Sequence, residues 1–165
     1  MDLARFKGLD IVLVCGLPAC GKSTFARENF TDSAHRRVNR KEIRRFLHEM
    51  TRYGERWSES HFAEHDEGLV QHVERKILEH LLHAGEKVLV DNTSVSIESR
   101  ASYLHLARET RKRVGAIFLN RPVLTCIERN RKREDPVPEN VISNLFASIQ
   151  LPTRAEGFVE TLVIT

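Results

Sequence analysis

The chain has few cysteines, no long apolar run and little excess of either charge. Its three cysteines, Cys15, Cys20 and Cys126, form no C-x-x-C pair. Cys15 falls in an apolar strand-like run and Cys20 in a glycine-bearing turn, where a disulfide would interfere, so the usage suits a reducing cytoplasm. No apolar run reaches the length of a membrane span. Met1 to Asp10 carries charges without a sustained apolar core, which does not read as a signal peptide. The net charge of +3 permits a nucleic-acid partner without requiring one. There is no internal repeat, low-complexity segment or linker. At 165 residues, 41% hydrophobic and 30% charged, the chain reads as one domain over 1–165 with a substantial core.

What is present centres on Gly16-Leu17-Pro18-Ala19-Cys20-Gly21-Lys22-Ser23. It reads G-x-x-x-x-G-K-[ST], the P-loop or Walker A pattern. An apolar run, Ile11 to Cys15, precedes it within a buried parallel strand from about Asp10 to Cys15, and a helix from Lys22 to Asn29 follows. That order aims a helix N-terminus at one point, which favours an anion. Gly16 and Gly21 allow backbone angles and approaches that a Cβ would obstruct. Pro18, Ala19, Cys20 and Thr24 complete the phosphate cradle. Lys22 supplies a charge to β- and γ-phosphates and Ser23 a hydroxyl to Mg²⁺.

Downstream, strands and helices alternate. Arg36 to Asn39 reads as a short strand. A helix follows with Ile43, Phe46, Leu47 and Met50 on one apolar face and Arg40, Lys41, Arg44 and Arg45 elsewhere. A polar stretch, Thr51 to Trp57, leads to a long helix from Glu59 to Ala84 with Val70, Val73, Ile77 and Leu81 as its seam. Lys87 to Asp91 is a strand, Ile97 to Lys112 a helix through Ile97, Ala101 and Leu104, and Val114 to Leu119 a strand. A helix from Pro122 to Lys132 is followed by the loop Glu134 to Pro138. Pro138 opens a last helix with Val141, Ile142, Leu145, Phe146 and Ile149 inward, and Val159 to Ile164 closes the chain as a strand. The alternation gives an α/β fold with a mostly parallel sheet. In such sheets ligands bind beyond the carboxyl ends of the strands, so the P-loop, Asn39 to Arg44 and Asp91 to Ser94 should meet at one crevice.

Several residues there could do chemistry. Asp91 ends a strand and can orient Mg²⁺ or its waters, or it caps the turn Asp91-Asn92-Thr93-Ser94. Arg129-Asn130-Arg131-Lys132-Arg133 is a solvated basic turn or an arginine-bearing lid; Arg129 and Arg133 share a helix face. Arg40, Lys41, Arg44 and Arg45 hold an acceptor's phosphate or form a solvated face. His61 and His65 are spaced i, i+4 beside Asp66, but without H-E-x-x-H they read as a polar helix face rather than a metal site. Tyr53 and Trp57 either stack on a base or pack at the core edge.

The collinear set Gly16 to Arg27, Asn39-Arg40-x-x-x-Arg44, Asp91-Asn92-Thr93, Arg129-Asn130-x-x-Arg133, Val137-Pro138-x-x-Val141-Ile142 and Leu151-Pro152-Thr153-x-x-Glu156-Gly157-Phe158 resembles the polynucleotide 5′-hydroxyl kinases, to which seryl-tRNA kinases are related. The resemblance spans nearly the whole chain. It implies a P-loop NTPase fold of adenylate-kinase-like type, a three-layer α/β/α arrangement with a five-stranded parallel sheet and a short helical lid. It implies transfer of ATP's γ-phosphate, with Mg²⁺, to a nucleic-acid 5′ end or a small hydroxyl-bearing substrate. By position, Lys22, Ser23 and Thr24 hold ATP and metal. Arg44 touches the acceptor, Arg129 and Arg133 form the lid, and Asp91 matches the strand-end aspartate. Arg40, Lys41, Glu42, Asn92 and Thr93 fall on the acceptor side. The family's general-base aspartate is replaced by Lys41, a cation that does not accept a proton at neutral pH. Either Glu42 substitutes, or transfer proceeds weakly without a base, or the protein binds ATP and no longer acts as a kinase.

Overall fold

The computed structural model describes residues 3–165; Met1 and Asp2, part of the stretch read for a leader, lie outside them. A short helix α1 (Ala4–Lys7) leads into strand β1 (Ile11–Cys15), every residue of which is buried. Helix α2 (Lys22–Phe30), strand β2 (His35–Val38) and helix α3 (Arg40–Thr51) follow. Then come α4 (Glu67–His83), β3 (Lys87–Val90), α5 (Ile97–Thr110), β4 (Val114–Leu119), α6 (Val123–Arg131), α7 (Glu139–Ala147) and β5 (Glu160–Ile164). The five strands form one parallel sheet in the order β2-β3-β1-β4-β5. Ile11 pairs with Val88 on one side and with Val114 on the other. The chain thus leaves β1 toward one edge and later resumes on its other side. The loop after β1 sits where the order reverses, which is where open α/β sheets bind ligands.

β1 and β4 are continuous apolar runs because helices cover both sheet faces. At each fully buried aliphatic residue, burial contributes about 1.5–3 kcal/mol. Gly115 admits Phe6 and Leu9 against β4; a Cβ there would stand 2.5 Å from Leu9 Cδ1.

The helix seams differ from those read in the sequence. On α3 Ile43 is buried and Leu47 packs on the core, but Phe46 and Met50 are exposed. The inner row of α4 is Val70, Glu74, Leu78 and Leu82, with Ile77 exposed. A carboxylate in that row disguised it. On α5 the buried residues are Arg100, Tyr103, Leu104, Leu106 and Ala107, whereas Ile97 and Ala101 face solvent. Only Leu104 matches the expected row. On α7 Ile142 is buried, Leu145 and Ile149 pack on the core, and Val141 and Phe146 are exposed.

The expected helix from Glu59 does not run unbroken. Glu59–His61 and Glu64–Asp66 are single 3₁₀ turns, and Phe62 is extended between them. The Ser58 N–H donates to His61 Nδ1, which closes the first turn on itself. α4 therefore begins at Glu67, and His61 and His65 do not share a helix face.

Candidate active site

The P-loop is built around backbone that only glycine tolerates. Gly16 has φ 143°, and a Cβ there would lie 2.7 Å from both Leu119 O and Cys20 Sγ. Its N–H donates to Thr93 O, tying the loop to the segment after β3. Gly21, at φ 102°, precedes α2, and no side chain caps that helix. The first N–H groups of α2 are thus available to an anion. Lys22 Nζ donates to Gly16 O at 2.9 Å and to Leu17 O at 2.7 Å. The ammonium is held inside the loop it serves.

An open cavity of about 610 Å³ adjoins this loop, lined by Ala19, Gly21, Thr24, Arg121, Arg129 and Arg133, among others. Arg129 Nη1 lies 4.0 Å from where a Gly21 Cβ would be. The basic run is therefore divided by function. Arg129 and Arg133 face the cavity. Buried Asn130 exchanges two hydrogen bonds with the Val137 backbone, and Arg131 pairs with Glu139. Arg121, at the end of β4, joins the lining and was not singled out in the sequence; one arginine beside a proline gives no signal.

Asp91 is fully buried in its side chain. Arg37 Nε donates to its Oδ2 at 3.0 Å, and Asn39 Nδ2 to its Oδ1 at 2.8 Å. Asn39 also caps α3 by accepting the Glu42 N–H. Arg37 was missed because it lies on an edge strand whose side chains read as solvent-facing. Burial lowers its basicity, but Glu42 and Asp91 outweigh this, so its pKa stays above the ordinary arginine value. Glu42 is turned toward Arg37, at 2.8 Å, and is more than half exposed.

The acceptor-side residues split into two groups. Arg40 and Asn92 point inward: Arg40 donates to buried Glu74 and to Tyr103 Oη, and Asn92 donates to both of these and accepts the Arg40 N–H. Burial and the Glu74 charge push the Tyr103 hydroxyl well above its ordinary pKa. These residues position the start of α3 against the loop after β3. Thr93 contributes the carbonyl that holds Gly16.

Lys41 and Arg44 point the other way. Lys41 Nζ lies 2.6 Å from Glu59 Oε1 and 3.7 Å from Asp135 Oδ2. Arg44 Nε donates to Glu67. Both cations stand over the Trp57 ring, at 5.3 and 6.0 Å, which is buried beneath them. Trp57 thus packs at the core edge, while Tyr53 is fully exposed. Asp135 also accepts the Glu59 N–H at 2.8 Å, and Arg56 pairs with Glu134. The loop after α6 is therefore clasped to the segment before α4.

This arrangement can seat a polyphosphate on the P-loop and flank it with arginines. The model of the family described as an AAA domain matches residues 11–152. The chain belongs to the AAA domain family. Within it, this P-loop kinase-like domain is 23% identical over 142 residues to an L-seryl-tRNA(Sec) kinase of Methanococcus maripaludis, covering 86% of this chain and 53% of that protein. It is 24% identical over 160 residues to a bifunctional polynucleotide phosphatase/kinase of Schizosaccharomyces pombe, covering 90% and 32%. The chain thus spans about half or less of these two relatives. A chain of the Pnkp1/Rnl/Hen1 RNA repair complex superposes with a TM-score of 0.67 at 22% identity, over 84% of this chain and 43% of that one. The fold is that of the P-loop kinases, as the resemblance implied. No helix among the described residues is long and apolar enough to cross a membrane.

Proposed function

We propose that this chain transfers the γ-phosphate of ATP to a hydroxyl, and that the acceptor is the 5′ end of a nucleic acid. The observation that carries the reading is the seating of Lys22 inside the P-loop, 2.9 and 2.7 Å from two loop carbonyls, beside an arginine-lined cavity. Lys22, Arg129 and Arg133 would neutralise the transferring phosphoryl group, and the first turn of α2 would hold the β-phosphate. Arg44 would exchange Glu67 for a phosphate of the acceptor.

The residues fit a magnesium ion. Ser23 offers a hydroxyl, and Asp91 keeps lone pairs beyond the two bonds it accepts, which a metal-bound water would reach once the buried carboxylate is uncovered. When bound, the ion neutralises charge on the β- and γ-oxygens.

In the transfer step the acceptor oxygen bonds to the γ-phosphorus, the bond to the bridging oxygen breaks, and ADP leaves with that electron pair. The hydroxyl proton needs an acceptor. Glu42 is turned away toward Arg37, so we assign the role to Glu59, the carboxylate 2.6 Å from Lys41. The three free cysteines suit a reducing cytoplasm as its compartment.

A second reading, ATP binding without kinase turnover, is favoured by Lys41 itself, a cation held where the resemblance calls for a carboxylate. The test offers γ-labelled ATP with 5′-hydroxyl RNA and DNA oligonucleotides, seryl-tRNA and small sugars. Label on the oligonucleotide ends supports the first reading. Label only on seryl-tRNA or a sugar moves the acceptor, and ATP binding with no labelled acceptor supports the second.

A further inference from the structure

His48, near the end of α3, and His61 and Glu55, from the segment before α4, converge on one point. Their ligand atoms all lie within 4.8 Å of one another. Glu55 Oε1 is 3.3 Å from His61 Nε2 and 3.9 Å from His48 Nε2. A tetrahedral ion with bonds of about 2.0–2.1 Å to nitrogen and oxygen needs ligand atoms roughly 3.3–3.4 Å apart. The cluster is within a small side-chain adjustment of that spacing. An independent observation points the same way. Among the described residues, His48 Nε2 is the buried side-chain polar atom with no hydrogen-bond partner, and its side chain is 11% exposed. Buried polar atoms ordinarily have partners, and an ion at this point would give His48 one.

We propose that His48, Glu55 and His61 bind a zinc-class divalent cation, with water in the fourth position. Two imidazole nitrogens and one carboxylate oxygen select zinc and its transition-metal neighbours over Mg²⁺ or Ca²⁺, which take oxygen ligands. In the metal-free chain the Ser58 N–H donates to His61 Nδ1, so the proton of the neutral ring sits on Nε2. Binding moves that proton to Nδ1, where Ser58 Oγ, 3.1 Å away, accepts its hydrogen bond; the Ser58 N–H gives up its bond to the ring, and the Nε2 lone pair is freed for the ion. The ion would close the chain between His48 and His61 into a loop. That loop carries both Trp57 and Glu59, so the ion would fix the partners of Lys41.

The test uses untagged, chelator-treated protein and does not depend on any activity. Zn²⁺ titration is followed by calorimetry and by the thermal midpoint, and Co²⁺ serves as a spectroscopic probe. The expected result is one Zn²⁺ per chain, a raised midpoint, an intense tetrahedral Co²⁺ spectrum, and no response to Mg²⁺. His48→Ala and His61→Ala should each weaken binding by at least about tenfold. Should either fail to fold, Glu55→Gln, at a half-exposed residue, gives the same test with little risk to the core. Absence of stoichiometric binding, or equal binding by the parent and all folded variants, as surface histidines such as His72 and His80 would give, overturns the proposal.

Discussion

Lys41 Nζ and Glu59 Oε1 lie 2.6 Å apart, so the cation standing at the expected base position brings a carboxylate with it. Glu59 is mostly buried against Lys41, and its backbone N–H donates to Asp135 Oδ1. A general base contributes typically 10²–10⁴-fold to a rate. Glu59→Gln should lower kcat for phosphoryl transfer by about that factor, with KM for ATP little changed. Lys41→Asp introduced into the same variant should restore part of kcat by placing a carboxylate where the resemblance calls for one. Steady-state kinetics on both variants checks this; full activity in Glu59→Gln contradicts the assignment.

The cavity arginines make a separate prediction. Arg129 and Arg133 face the P-loop cavity, whereas Arg131 pairs with Glu139. Removing a donor aimed at developing charge costs about 10²–10³-fold. Arg129→Ala and Arg133→Ala should each approach that loss in kcat/KM, while Arg131→Ala should change it little. Equal effects of all three would mean that the run acts only as a diffuse positive patch.

Stability should be most sensitive at a pair remote from the chemistry. Arg100, with no exposed side-chain surface, donates through Nε and Nη2 to Glu156 at 2.9 Å, and Glu156 is 6% exposed. Removing one partner of a buried pair leaves the other charge uncompensated, at a cost of about 3–5 kcal/mol. Arg100→Ala should lose stability on that scale in denaturant titration, and replacing both by methionine should recover much of it. A small effect of the single change would show that water reaches Glu156.

Much of the fold is legible in the sequence because apolar strands and the P-loop carry strong, local signals. β1, β4 and β3 fall where apolar runs place them, with β3 ending at Val90, one residue before Asp91. The helix faces are less legible because three inward positions hold charged or polar groups. Glu74, Arg100 and Tyr103 look like surface residues until their partners Arg40, Asn92 and Glu156 arrive from elsewhere in the chain. The candidate site divides the same way. Gly16 to Ser23 is contiguous, so its pattern is visible. The hold of Arg37 on Asp91 and of Glu59 on Lys41 joins positions far apart in sequence, and only the sheet order and the break before α4 create them.

One pH effect follows from His35. Burial holds its imidazole below the ordinary range, despite its contacts with Leu9 O and Ser33 O. A lowered folded-state pKa means that the unfolded chain takes up the proton first. His35 therefore favours folding above about pH 6.5, and that contribution is lost as the pH falls through the lowered folded value. The fall in thermal midpoint between roughly pH 7.5 and 5.5 should be shallower in His35→Gln than in the parent chain. Parallel slopes would show that the ring titrates freely in the folded protein.

Lys22 and its loop are proposed to deliver a γ-phosphate to an acceptor hydroxyl. The most direct measurement is single-turnover transfer from γ-labelled ATP to a 5′-hydroxyl oligonucleotide, by the parent chain and by Lys22→Ala. Labelled 5′ ends are expected with the parent and none above background with Lys22→Ala, which should remain folded. Equal labelling by the two, or none by a parent chain that binds ATP, would contradict it.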